Sequence, residues 1–248
     1  MKITQQQIIS AVVDESLTRP DSIVTEMVQG RRLVGVQTEQ GAGICSRVPL
    51  DDALLGTGPD PGLNLSLHQL LPGLEYQDTE EASYALAAVN CILNNRRSEI
   101  QAKAQELILE LGRGKNVAVI GHFPFVHKIK NAFNNFWVLE KRPRDFDLPS
   151  TELPRILPRA QIIAITATTL LNGTLAQILN LCHSGSIRML MGPSTPMACC
   201  LGPMGIHYLA GSRVLEPREV FTGIKSGLCF RSLSGVESFI QPTGRTRT

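Results

Sequence analysis

Apolar residues recur at helical spacing at Ile8, Ile9, Val12, Val13 and Leu17, just after Thr4 and Gln7, which stand three apart as in a capping box. The pattern predicts an amphipathic helix over residues 4–17. Two β-rich runs follow at 23–29 and 33–38, split by Gly30-Arg31-Arg32, and a third comes after Gly41 and Gly43. The simplest reading is a small antiparallel meander. Residues 49–77 carry many Gly, Pro and Asp with scattered leucines, which predicts irregular or short-helical structure. Asp78 and Glu81 then read as the cap of a second helix, whose residues Ala82, 85–89, Ile92 and Leu93 are apolar nearly all round. Such a helix is expected to be buried, and Asn90 within it to be hydrogen-bonded, because an unpaired buried amide is costly.

A second unit opens where Ser98 and Gln101 repeat the capping-box spacing ahead of Ile100, Ala104, Leu107, Ile108 and Leu111, a stripe that ends at Gly112. Beyond it, short apolar runs at 117–121, 136–140, 162–166, 187–192 and 206–211 alternate with segments of crossover length. Strands apolar on both faces belong to parallel sheets covered on both sides. The expected fold is therefore α/β, a Rossmann-like parallel-sheet domain over 98–248, preceded by a smaller α+β domain of meander and helices over 1–97. The tail from Gln241 reads as frayed.

Composition narrows the partners. With 248 residues and 43% hydrophobic content the chain can build a real core, and Lys plus Arg exceed Asp plus Glu by only 24 to 22. No global field draws it to nucleic acid or an anionic membrane. The start lacks the apolar segment of a signal peptide, and no run approaches the roughly 18 apolar residues of a membrane span, so a cytoplasmic protein is expected. The six cysteines, Cys45, Cys91, Cys182, Cys199, Cys200 and Cys229, lack C-x-x-C spacing and are expected to be mostly reduced and buried.

In an open parallel sheet, ligands bind beyond the carboxyl ends of the strands, near the point where strand order reverses. The first strand is followed by Gly121-His122-Phe123-Pro124-Phe125, one glycine where a dinucleotide fingerprint has three, with a proline that offers no N–H. The two phenylalanines either stack on a planar ligand or plug the seam between the domains. Glu140 ends the second strand nineteen residues after Gly121, close to the spacing of a ribose-binding carboxylate; an ion pair with Lys141, Arg142 or Arg144 is the alternative. Asp147 follows in the next loop, and with Glu140 it could serve acid–base chemistry or grip a cation. Thr168, Thr169, Asn172, Gly173 and Thr174 cluster after the third strand, before a helix expected to run to Leu181, and suit an anion or a carbonyl oxygen. After the fourth, Gly192-Pro193-Ser194-Thr195-Pro196 places Thr195 as an N-cap with Pro196 in the first turn. Ordinary turn chemistry is the rival account of these clusters.

Metal and nucleophile chemistry have weaker signals. His122 and His127 stand five apart, and Cys182-His183 and Cys199-Cys200 are adjacent; none reproduces a closed zinc spacing. An open site from His122, Glu140 and Cys45 is conceivable, against the commoner role of a lone histidine in packing. There is no G-x-S-x-G elbow and no P-loop, although Cys45 could be activated by Arg47 if exposed.

The strings GHFPFV, LEKRPRDFDLP, TATTLLNGTLAQIL and MGPSTPM, in that order, resemble the heavy-metal-chelation family, a group of unknown function, and ALAAVNCILNN with the meander before it resembles that family's N-terminal companion domain. The resemblance covers nearly the whole chain. It implies an enolase-N-terminal-like domain packed on a Rossmann-like one, with the active site in the cleft between them. By motif position the pocket would hold His122, Phe123, Pro124, Phe125, Glu140, Asp147, Thr168, Thr169, Asn172, Gly173, Thr174, Gly192, Pro193, Ser194 and Thr195. The expected function is binding of a small molecule or metal complex; the alternative is a transferase or lyase using a nucleotide-like cofactor. The sequence names no cofactor, metal ligand or catalytic residue, and leaves a homo-oligomer open.

Overall fold

The structure, a computed structural model, describes residues 2–48, 56–57, 64–95 and 102–244. The expected boundary near residue 97, the Ser98–Gln101 capping box and part of the 49–77 segment lie outside the described residues.

The N-terminal half begins with helix α1, Gln5–Leu17, closed by the expected capping box: the Thr4 hydroxyl accepts from the Gln7 N–H, and the Gln7 side chain accepts from the Thr4 N–H. Strands β1 (Val24–Gln29), β2 (Leu33–Thr38) and β3 (Gly41–Ser46) form the antiparallel meander, and β4 (Gly56–Thr57) pairs with β1 to give the order β3-β2-β1-β4. The one-turn helix α2, Leu67–Leu70, precedes α3, Glu80–Leu93, which is buried along most of its length. Its N-cap is Thr79, whose hydroxyl accepts from the Ala82 N–H, and not Asp78, which turns the chain at φ +55°. A threonine cap with Glu80 and Glu81 in the first turn satisfies the same orphan N–H groups and the helix dipole.

Register fixes which residues face each layer. Val34 opposite Cys45 and Val36 opposite Gly43 lie toward α3, where a Cβ on Gly43 would stand 2.1 Å from the Ala87 carbonyl oxygen. Only glycine allows this approach. Leu33, Gly35 and Ile44 lie on the opposite face, which is covered by Val220, Phe221 and Ile224 of a helix near the C-terminus. A sheet buried on both sides explains why β2 and β3 are apolar at nearly every position.

The C-terminal half runs α4 (Ala104–Gly112), β5 (Asn116–Ile120), α5 (Val126–Ile129), β6 (Asn135–Glu140), β7 (Leu148–Pro149), α6 (Leu153–Ile156), β8 (Ile162–Thr166), α7 (Thr168–Leu171), α8 (Leu175–Leu181), β9 (Ile187–Met191), β10 (Tyr208–Val214), α9 (Pro217–Lys225) and β11 (Val236–Pro242). The sheet order is β11-β10-β9-β8-β5-β6-β7; every pairing is parallel except β10 with β11. The chain departs from β5 toward β6 and β7, then returns to lay β8 on the other side of β5. The switch point therefore lies between β5 and β8. Ala118, Ile120, Ile163 and Ile165 enter the core shared with α1 and α3, while Val117, Val119, Ile162 and Ala164 pack on the α4 side. No helix among the described residues is long and apolar enough to cross a membrane.

Two further expectations need correction. Gln241 belongs to β11 and is paired with Leu209, and the Thr243 N–H donates to the His207 carbonyl, so the chain is not frayed from Gln241. The helix expected to run to Leu181 is α8, and Gly173 at φ +72° separates it from the one-turn α7 inside the threonine cluster. Thr195 caps no helix: the segment after β9 is a turn and extended chain until the 3₁₀ turn Cys199–Leu201. Its backbone is fixed by two buried asparagines of the first half. Asn94 at the end of α3 donates to the carbonyls of Thr195 and Ser212 and accepts from the Met197 N–H. Asn90 donates to the carbonyls of Ile44 and Pro193.

Since each buried polar group left unpaired costs about 1–3 kcal/mol, Asn94→Ala is expected to destabilise by about 3 kcal/mol or more. That corresponds to a melting temperature lower by about 6–12 °C. Asn90→Ala should cost less, because it orphans two carbonyls as Asn94→Ala does but no N–H; differential scanning calorimetry that ranks the two the other way would refute this account of the seam.

Candidate functional site

Beyond the carboxyl ends of β5 and β8 the structure has a cavity of about 490 Å³, with walls from β5, β6, β8, α6, α7 and α8. Its floor is the Gly121 turn. Gly121 takes φ +99°, and a Cβ there would press on Thr166 at 3.1 Å, so glycine lets the turn lie against β8. His122, Phe123, Glu140, Thr168, Thr169, Asn172 and Thr174 all line this cavity, as the reading of strand ends expects. Thr166, Ser150, Thr151, Lys141 and Gln177 line it too and were not singled out from the sequence. Thr166 is the last residue of its strand, one position before the segment a strand-end rule inspects.

Glu140 is committed to the local backbone. One carboxylate oxygen accepts from the His122 N–H at 3.0 Å and the other from the Lys141 N–H at 2.7 Å. The carboxylate thereby ties the β5 and β6 turns together, and each oxygen keeps a second lone pair for a ligand hydroxyl. Across the cavity the Thr166 and Thr168 hydroxyls lie 3.0 Å apart, Thr169 donates back to the Thr166 carbonyl, and Asn172 Oδ1 accepts from the Thr174 hydroxyl at 2.6 Å. The Thr166–Thr168 pair has acceptor and donor capacity to spare; Thr169 and Thr174 are spent on the loop itself.

Asp147 stands behind His122. Its side chain is fully buried, both oxygens lie 2.9–3.0 Å from His122 Nδ1, and one also accepts the Arg144 N–H. A buried carboxylate must be paired, and here the pairing fixes the imidazole plane. His127 and Asp145 lie outside this pair, with His127 Nε2 3.4 Å from the Asp145 carboxylate.

The remaining predicted residues fall elsewhere. Phe123, Pro124, Phe125, Gly192 and Pro193 line a second, more apolar cavity of about 230 Å³ with Phe230, Phe239 and Lys128, and Phe123 is shared by both. Phe123 and Phe125 stack on each other with centroids 5.5 Å apart. Gly173 packs under Gln77 of the first half. Ser194 and Thr195 are buried in the seam, where the Ser194 hydroxyl accepts the Ser46 N–H. Cys45 is fully buried too; burial pushes its thiol up to about 12, against the opposing hydrogen bond of Ser194, and Arg47 pairs with Glu80 of α3 at 3.4 Å. An open site combining His122, Glu140 and Cys45 is therefore not formed.

A seven-stranded, mostly parallel sheet with a polar cavity at its switch point, joined to a smaller antiparallel sheet, defines a two-part α/β protein of Rossmann-like class. The DUF364 family model, described as "Putative heavy-metal chelation", matches residues 103–240, and the chain belongs to that family. A protein of Methanocaldococcus jannaschii described as uncharacterized is 25% identical over 236 residues, 90% of this chain and 87% of that one. Two crystal structures of DUF364 proteins of unknown function share the fold. The one from Desulfitobacterium hafniense has a TM-score of 0.81 at 24% identity, covering 96% of this chain and 98% of its own, and the one from Pyrococcus horikoshii has 0.78 at 18%, covering 95% and 99%.

The thiols give a direct check on this placement. Cys45 and Cys91 are buried with thiols pushed up to about 12, whereas Cys199 and Cys229 are exposed and the Ser232 hydrogen bond lowers Cys229. A thiolate-specific reagent at pH 8 should label Cys199 and Cys229 in the native chain well before Cys45 or Cys91, which should react only on unfolding. Rapid native labelling of Cys45, located by peptide mass spectrometry, would mean that the seam opens.

Proposed function

We propose that this protein binds a small polar molecule, or a metal complex of one, in the crevice between β5 and β8. The observation that carries the reading is the coincidence of the polar cavity with the switch point of the sheet, where open α/β folds take their ligands. Glu140 receives ligand hydroxyls on one wall, and the Thr166–Thr168 hydroxyls meet an anionic or carbonyl group on the other. The family description supports a metal-related ligand. The described walls come from the C-terminal half alone, so the reading puts the site in that half and not in the asparagine-pinned seam.

A nucleotide-like cofactor is the second reading, favoured by Glu140 at the end of β6, the strand beside β5. Pro124 and two phenylalanines occupy the turn where a pyrophosphate would need backbone N–H groups, so a nucleoside-sized ligand fits this reading better than a dinucleotide.

The test is a thermal-shift screen of nucleosides, sugar phosphates, pterins and metal chelates. A ligand at about one hundred times its dissociation constant adds about 2.7 kcal/mol, which raises the melting temperature by about 5–10 °C. Thr168→Val and Glu140→Gln are each expected to weaken the hit by about tenfold or more, since hydrogen bonds in such sites contribute about 1–3 kcal/mol. Phe230→Ala, in the neighbouring cavity, should not weaken it. The opposite pattern would move the site to the aromatic cavity.

A further inference from the structure

His122 and His127 come from the two sides of the turn that leads into α5, and the chain folds back so that their rings lie 5.5 Å apart. Asp145, from the loop between β6 and β7, approaches the same place. One nitrogen of each imidazole and one carboxylate oxygen of Asp145 lie within 4.8 Å of one another, and among the described residues this is the group of histidine, cysteine and acid side chains so arranged. Proximity of exposed groups is not by itself a site. The second observation is Asp147: its buried carboxylate occupies Nδ1 of His122, which leaves Nε2 as the nitrogen with a lone pair to give. A histidine that ligates a metal characteristically donates its other ring N–H to a carboxylate, which sets the tautomer and raises the basicity of the ligating nitrogen. Phe146 meets His127 edge-on at 5.0 Å and restrains that ring as well. Three consecutive residues thus divide the work, with Asp145 63% exposed beside the imidazoles and Asp147 fully buried behind one of them.

We propose that His122, His127 and Asp145 bind a first-row divalent transition-metal ion, with Asp147 as the orienting carboxylate of His122. Two imidazoles and one carboxylate are a borderline nitrogen–oxygen set that suits zinc, cobalt, nickel or iron(II); calcium and magnesium call for oxygen ligands throughout, and soft ions for thiolate. Three protein ligands leave coordination positions open, so the ion is exchangeable and not a folding element. The half-exposed His127 and the exposed Asp145 can close by the ångström or so that coordination bonds require. His122 also lines the crevice cavity, so a crevice ligand could reach the open positions. The metal site goes beyond the crevice reading and does not depend on it.

Cobalt(II) titration of the full-length, chelator-treated chain, followed by visible absorption and by calorimetry, tests the proposal without any assumption about activity. One ion per chain is expected, with absorption bands of a low-symmetry nitrogen–oxygen site. His127→Ala and Asp145→Asn change exposed side chains and should each lower the affinity at least tenfold with no loss of fold by circular dichroism. Asp147→Asn should lower it about 10–100-fold, the usual effect of removing such a partner. His183→Ala, an exposed histidine elsewhere, should leave it unchanged. Absence of saturable binding at micromolar cobalt, or binding that survives intact in the His127→Ala, Asp145→Asn double variant, would overturn the site.

Discussion

The arrangement depends on how closely α3 lies against β3. At Gly43 the helix backbone sits where any side chain would collide with the Ala87 carbonyl and the Cys91 N–H. That contact sets the depth of α3, and depth decides whether Asn90 and Asn94 can reach through to the turn after β9. Once they do, the carbonyls of Pro193 and Thr195 are satisfied by the first half, and the carboxyl end of β9 becomes part of a seam. The polar cavity opens between β5 and β8, away from the two asparagines. A single packing distance in one sheet thus fixes the course of the turn after β9 in the other.

The site itself is built from pairs in which one group is used structurally and its neighbour is left over. Glu140 ties down two turns but retains lone pairs; Thr169 and Thr174 brace their loop while Thr166 and Thr168 face the cavity; Asp147 is buried so that His122 is held. Such division of labour gives the cavity a fixed geometry.

Much of this was legible in the sequence, for identifiable reasons. The capping box of α1, the apolar circumference of α3 and the five β-runs of the larger sheet depend on local period, and period survives folding. Glu140 and most of the threonine cluster fall on the walls of the crevice cavity because the strand-end rule needs only strand ends. What failed was non-local. Ser194 and Thr195 look like a ligand turn until the two asparagines that consume it are seen, and β11 carries too few consecutive apolar residues to announce a strand, since it lies antiparallel at the sheet edge. The proximity of Asp145 to His127 depends on a loop whose course no spacing encodes.

The cover on the outer face of the small sheet has a consequence for the chain as a whole. Val28, Leu33 and Ile44 are hidden by α9, which lies between β10 and β11 of the larger sheet in sequence yet belongs to the smaller one by packing. The polypeptide therefore closes on itself like a clasp, α9 fastening the small sheet. A nascent chain that has emerged only as far as β3 presents an unprotected sheet surface until α9 has emerged too, and during that interval the meander needs shielding from other chains.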